Sequence, residues 1–193
     1  MSAAHPHLQA QARLNSPLGP LTAAATAQGL AGLWFDGQAH HPGPLAAPLD
    51  PLQPWLVAAA RALDAYLAGQ PLPSLAFDLH GTPFQRAIWQ ALLAIPAGQT
   101  RTYAQMAQAA GSPAAVRAAG AAIGRNPVSV FVPCPRVLGR DGSLSGYAGG
   151  LDRKRALLVL EGALPARAAN AGQASLALDA PTTCRSPGPL PLA

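Results

Sequence analysis

The 193-residue chain is poor in cysteine, lysine, aromatic residues and charge. Its two cysteines, Cys134 and Cys184, are too few to staple a disulfide scaffold. That scarcity points to a reduced, cytoplasmic setting. No stretch of about 20 residues is free of polar and turn-forming residues, so no membrane-spanning helix is expected. The first residues, MSAAHPHLQAQARL, lack the basic-then-apolar pattern of a secretory signal. Charged residues make up 11% and aromatics 5% of the chain, yet half of it is apolar, which excludes a mainly disordered chain. Much of that apolar half is alanine, so the core must come from a limited set of Leu, Val, Ile and aromatic side chains. The length fits one medium domain or two small ones, domains commonly running to about 100–200 residues.

Acidic residues are scarcest where basic ones are densest. Residues 81–160 hold nine basic side chains and only two acids, Asp141 and Asp152, an excess of seven positive charges; the rest holds four bases and six acids. Of the 13 basic residues only Lys154 is lysine. A basic half on a neutral-to-acidic chain suits a polyanion-facing surface, though an ordinary solvated face explains it equally well.

The first part reads as β-rich. A strand is expected over 8–15, and Ser16-Pro17-Leu18-Gly19-Pro20 is turn chemistry. Segments 21–26 and 30–35 flank Gln28-Gly29 as a hairpin. Residues 36–51 form a loop, and apolar spacing predicts a helix over 52–67 stopped by Gly69. Residues 70–74, with two prolines, are the best linker.

The second part is mainly helical. Thr82-Pro83-Phe84-Gln85 is a capping box with proline at the first helical position, and it opens a helix to about 93. Thr102-Tyr103-Ala104-Gln105 opens a second helix to about 110. Ser112-Pro113 is expected to cap a third over 114–123, giving a helix-turn-helix with a three- or four-residue turn. Residues 128–132, β-branched and apolar, read as a short buried strand running into Pro133-Cys134-Pro135-Arg136-Val137. A Gly-rich segment, a helix over 151–160 and a stop at Gly162 follow, and 165–193 reads as a poorly ordered tail.

Cys134 is the centre of interest. Arginines on both sides in sequence would lower its pKa and raise its thiolate content; the competing reading is a small buried hydrophobe. The third helix is stripped of bulk around Arg117 by Ala114, Ala115, Ala118, Ala119, Gly120, Ala121 and Ala122. Such a face serves either tight helix packing or entry into a DNA groove.

These residues together carry a resemblance. Gly81-Thr82-Pro83-Phe84-Gln85, Ile95-Pro96-Ala97-Gly98-Gln99-Thr100, Thr102-Tyr103, Gly124-Arg125-Asn126-Pro127, Pro133-Cys134-Pro135-Arg136-Val137, Gly146-Tyr147-Ala148-Gly149-Gly150 and Glu161-Gly162 closely resemble the O6-alkylguanine-DNA alkyltransferases, in order and spacing. Ser16-Pro17-Leu18-Gly19 and the segment from Gly29 to Phe35 resemble the family's smaller domain. The resemblance implies an α+β fold: a ribonuclease-H-like α/β domain with an antiparallel sheet over 1–74, a helical DNA-binding domain with a winged-helix-like helix-turn-helix over 75–164, and the tail. It implies a single-turnover suicide enzyme that moves an alkyl group from O6 of guanine, and from O4 of thymine, to Cys134. The nucleotide would be flipped out of the stack to reach it. Arg117 would fill the vacated space from the minor groove. Tyr103 would rotate the phosphate and protonate the departing guanine. Asn126 would brace the active turn. Val137, Tyr147, Ala148 and Gly149 would line the guanine pocket. Ala118 would belong to the smooth DNA face, with Arg125 and Arg136 holding phosphate, an affinity that salt weakens. The partner would be double-stranded DNA and no membrane, the protein a monomer. No cofactor is implied, and with no cysteine before Cys134, no N-terminal zinc site.

One position departs from the family signature, Pro-Cys-His-Arg. Position 135 is proline. In the family that histidine joins the cysteine, through a water, to the glutamate matching Glu161. Proline has no ring nitrogen and no N–H, and it disfavours the α conformation of the residue before it. The expectation is that Cys134 loses its base, Glu161 loses its partner and transfer slows, since general-base assistance is worth about 10²–10⁴-fold. A non-catalytic sensor that flips alkylguanine is the alternative, and a plain DNA-binding module the third reading.

Overall fold

The computed structural model describes residues 7–165. The expectations for Cys184 and for the tail beyond Pro165 lie outside the described residues.

Strands β1 (Ala10–Leu14), β2 (Leu21–Ala25) and β3 (Leu30–Phe35) form an antiparallel sheet in that order. The predicted hairpin is present, with a register shift at Ala24/Ala25. Strands β2 and β3 are buried along their whole length. Helix α1 (Pro54–Leu67) covers the sheet, burying Leu56, Ala59, Ala62, Leu63 and Tyr66. It starts two residues later than the apolar spacing suggests. Leu52 is 82% exposed, and the Gln53 side chain accepts from the amides of Trp55 and Leu56 as the cap.

The free edge of β3 organises the rest. Leu30 exchanges backbone bonds with Ala76 and Asp78. Leu33 does the same with Pro127 and Ser129, so the segment leading to Cys134 docks on the N-terminal sheet. Burying a strand edge under another segment also removes unpaired backbone groups from solvent.

Both predicted capping boxes form, at Thr82/Gln85 for α2 (Pro83–Leu93) and Thr102/Gln105 for α3 (Tyr103–Ala109). Strand β4 (Arg101–Thr102) pairs in parallel with β5 (Val137–Leu138), tying the start of α3 to the residues after Cys134. Helix α4 (Val116–Gly124) packs on α2 and α3, and Trp89, fully buried, donates its indole N–H to Ala122 O at 2.9 Å. Helix α5 (Leu151–Leu160) closes the unit, with Gly162 in the left-handed region.

Two expectations fail. Ser112 does not cap the third helix: Ser112 O accepts from Ala115 N in a turn, and α4 begins at Val116 with no side-chain cap. The turn is therefore residues 110–115, longer than expected. Residues 128–132 are not a strand. Only Val128 makes a bridge, to Leu33, and the chain then curls so that Val132 N–H donates to Val128 O at 3.0 Å. Val130 sits at φ 73°, a left-handed conformation costly for a β-branched residue. Apolar content signalled burial correctly, but burial in a turn and burial in a strand look alike over five residues.

Candidate active site

The curl in the chain is built around one amide. Asn126, 4% exposed, accepts from Val128 N–H through Oδ1 at 3.0 Å. Its Nδ2 donates to Val132 O at 2.8 Å and lies 3.1 Å from Cys134 Sγ, with Val128 O at 3.2 Å. One side chain thus sets the shape of the turn and touches the thiol. From the N-terminal domain, buried Gln38 accepts from Phe35 N–H and from the Ser129 hydroxyl, at 2.9 Å each, holding the turn from the other side.

Cys134 opens a short 3-10 turn, Cys134–Arg136. Pro135 fits there because the N–H it lacks would have no intrahelical partner in a first turn. Cys134 nevertheless takes the helical conformation that a following proline disfavours, held there by the turn. The thiol is only 4% exposed, and burial pushes its pKa up to about 11 against the pull of the Asn126 amide and the Lys154 ammonium. The expected lowering by neighbouring arginines is thus overturned: desolvation outweighs it.

Arg136 explains part of that reversal. Expected on the DNA face, it points inward, its side chain 11% exposed. Its Nε and Nη2 donate to the two carboxylate oxygens of Glu161 at 2.8 and 2.6 Å, and Nη1 donates to Ile95 O. Tyr66 of α1 donates its hydroxyl to the same Glu161 at 2.6 Å. Glu161 therefore has not lost its partner, as the loss of the histidine suggested. It is fully occupied by a cation and a phenol, and it anchors α1 to the end of α5.

Several of the other predicted residues meet around one cleft. Tyr103 donates its hydroxyl to Ser145 O at 3.0 Å, with Gly146 O at 3.2 Å. Gly146 at φ 52° allows that approach: a Cβ there would lie 2.8 Å from the Tyr103 hydroxyl. Tyr103, Gly120, Gly124, Gly146, Tyr147 and Ala148 line a cleft of about 450 Å³, with His40 contributed by the N-terminal domain. Gly149 packs behind it against Phe35, and Val137 is fully buried. On α4, Arg117, Ala118 and Ala121 are exposed, as is Arg125, while Ala119 and Ala122 are buried against α2 and α3. The alanine run is therefore divided, Ala119 and Ala122 packing inward and Ala118 and Ala121 leaving a smooth exposed side.

Sequence reasoning missed four groups. Tyr66, Gln38 and His40 reach the site through tertiary contacts and carry no local signal. Lys154 had one: it is the only lysine among 13 basic residues. It is completely buried, its ammonium donating to Val137 O at 2.5 Å and Ser145 O at 2.6 Å.

The comparisons with known proteins agree with this geometry. Residues 83–163 match the family model of the 6-O-methylguanine DNA methyltransferase DNA-binding domain, and residues 11–79 that of its ribonuclease-like domain. The methylated-DNA–protein-cysteine methyltransferase of Mycobacterium tuberculosis is 44% identical over 149 residues, covering 77% of this chain and 89% of that protein. The same-named protein of Salmonella typhimurium is 61% identical over 84 residues, covering 44% of this chain and 49% of that protein. A crystal structure of Mycobacterium tuberculosis OGT in complex with DNA superposes with a TM-score of 0.74 at 42% identity, over 79% of this chain and 92% of that one. With both of its domain models matched in sequence and its architecture matched in space, the chain belongs to the 6-O-methylguanine DNA methyltransferase family.

Proposed function

We propose that this chain repairs DNA by a single, irreversible alkyl transfer to Cys134 from O6 of guanine, with O4 of thymine as a second site. The observation that carries the reading is the closed arrangement around the thiol. The Asn126 amide lies 3.1 Å from Sγ, and Tyr147 belongs both to the surroundings of Cys134 and to the wall of the cleft. A lesion must leave the base stack to enter such a cleft.

The exposed side of α4 supports minor-groove entry, with Arg117 as its projecting cation and small residues around it. Tyr103, half-buried beside Gly120, stands at the boundary between that helix and the cleft, placed to act on the phosphate and on the departing base. Arg117, Arg125 and Ala118 form the DNA face; Arg136 does not belong to it. The protein acts as a monomer on double-stranded DNA. A sensor that only flips the lesion has no use for a thiol held by a dedicated amide, so the transferase reading is preferred.

Incubation with an oligonucleotide bearing O6-methylguanine, followed by mass spectrometry of the Cys134 peptide, tests this. One methyl group gained per protein is the expected result. Tight lesion binding with no mass gain after prolonged incubation would overturn it.

A further inference from the structure

Three consecutive residues of one N-terminal loop touch the site in the other domain. Gln38 holds Ser129 of the reactive turn, the Ala39 amide donates to Ala148 O on the cleft wall at 2.9 Å, and His40 lines the cleft itself. His40 sits at φ 60°, a left-handed conformation unfavourable for a residue with a Cβ. Bonds on either side hold it there: Ala39 is tied to Ala148, and the His41 amide donates to Gln38 O at 3.3 Å. Backbone kept in such a state commonly serves a site. Here it sets the imidazole against the last turn of α4. Gly120 and Gly124 stand one turn apart on that helix. A Cβ on the first would lie 3.6 Å from the Tyr103 ring, and one on the second 3.9 Å from His40 Nε2. Two rings, one from each domain, therefore flank the same face of α4. His40 is exposed and pairs with no acidic side chain among the described residues, and exposed Arg125 directly follows Gly124.

We infer that His40 is a DNA-binding residue, its ring N–H donating to a phosphodiester oxygen of the strand that carries the lesion. This rests on the reading that a flipped nucleotide enters the cleft. Such a nucleotide brings two phosphate groups to the mouth, one on each side of its sugar. Tyr103, over Gly120, meets one of them. His40, over Gly124 and about 6 Å further along the helix, meets the other. An imidazole carries an N–H donor in both its neutral and its charged form, and a phosphate oxygen accepts from either. The N-terminal domain thus takes part in holding the lesion strand, besides bracing the reactive turn through Gln38.

Binding and transfer are measured separately. Fluorescence anisotropy follows a duplex bearing O6-methylguanine, and the same duplex unmodified, with each His40 variant carried on Cys134→Ser so that the lesion persists. Single-turnover methyl transfer, with Cys134 intact, is followed against duplex concentration. His40→Ala is expected to weaken lesion binding about tenfold, the worth of one charge-assisted hydrogen bond, and to leave the saturating transfer rate unchanged. The unmodified duplex, whose bases stay stacked, is expected to lose little. His40→Gln keeps an N–H donor and should recover part of the loss. His40→Asp sets a carboxylate against phosphate and should bind more weakly than His40→Ala. His40→Gly relieves the backbone at φ 60° and should bind as weakly as His40→Ala. Unchanged lesion binding in His40→Ala, recovery in His40→Gly, or His40→Asp no weaker than His40→Ala overturns the contact, as does an equal loss on the unmodified duplex. If the variants bind as expected but the unaltered protein transfers no methyl, the contact stands and the transferase reading falls. If transfer proceeds and the His40 variants bind normally, the contact alone falls.

Discussion

Arg136 grips both carboxylate oxygens of Glu161, at 2.8 and 2.6 Å, in a pair whose side chains are 11% and 5% exposed. The family motif places this arginine next to the nucleophile, yet its guanidinium is buried against Glu161 and Ile95 O. Removing one partner leaves the other charge buried and alone, which costs about 3–5 kcal/mol. Arg136→Ala should therefore lower stability by that amount in urea unfolding. The salt dependence of DNA binding in the folded fraction should stay unchanged. A shallower salt slope would return Arg136 to the phosphate-binding set.

Arg117 should behave in the opposite way. It is exposed on α4, and surface substitutions of that kind change stability by about 0.5 kcal/mol or less. Arg117→Ala is expected to leave thermal unfolding in place while slowing methyl transfer from double-stranded DNA at least tenfold. Equal loss of stability and transfer would mean the side chain packs rather than enters DNA.

Pro135→His restores the missing imidazole. General-base assistance spans about 10²–10⁴-fold. Glu161 is already held by Arg136 and Tyr66, so little of it remains free to orient a new ring. The expected gain in single-turnover rate is at the lower end, no more than about 10²-fold. An unchanged rate would show that Cys134 does not wait for a base.

Gly146 tests the approach of Tyr103. A Cβ there would meet the Tyr103 hydroxyl at 2.8 Å, and φ 52° is unfavourable for alanine. Gly146→Ala should displace the phenol and slow transfer at least tenfold, with a stability loss of about 1–2 kcal/mol. Normal transfer kinetics would remove Tyr103 from the reaction.

Burial of Cys134 makes stability pH-dependent. Its folded pKa, about 11, lies above the ordinary 9.0, so between those values the unfolded chain has shed a proton that the folded chain keeps. Stability then falls as pH rises from about 9 to 11, by about 2–3 kcal/mol, and is fully present below 9. Lys154 runs the other way: its pKa is pushed down to about 8 from 10.5, so its own contribution improves as pH rises through that range. Chemical unfolding of Cys134→Ala beside the unaltered protein across this range isolates the thiol. Parallel curves would show that the thiol is not desolvated.

Local chemistry determined much of the protein. Capping boxes at Thr82 and Thr102 and the Gln28-Gly29 turn fix helix starts and a hairpin through bonds within a few residues, and such signals survive folding. The motifs around Cys134, Asn126 and Tyr103 were equally legible, because the chemistry of a site needs particular residues in a particular order. The tertiary structure alone decided what each group faces. Residues 128–132 curl because Asn126 draws their backbone inward and Leu33 pairs only with their start. Arg136 turns inward because Glu161 and Tyr66 arrive from elements 25 and 70 residues away in sequence. Lys154 becomes buried against Val137 O because α5 packs on the Cys134 turn. Distance along the chain carries no information about these encounters. Burial, which sets the ionisation of Cys134, exists only once they have been made.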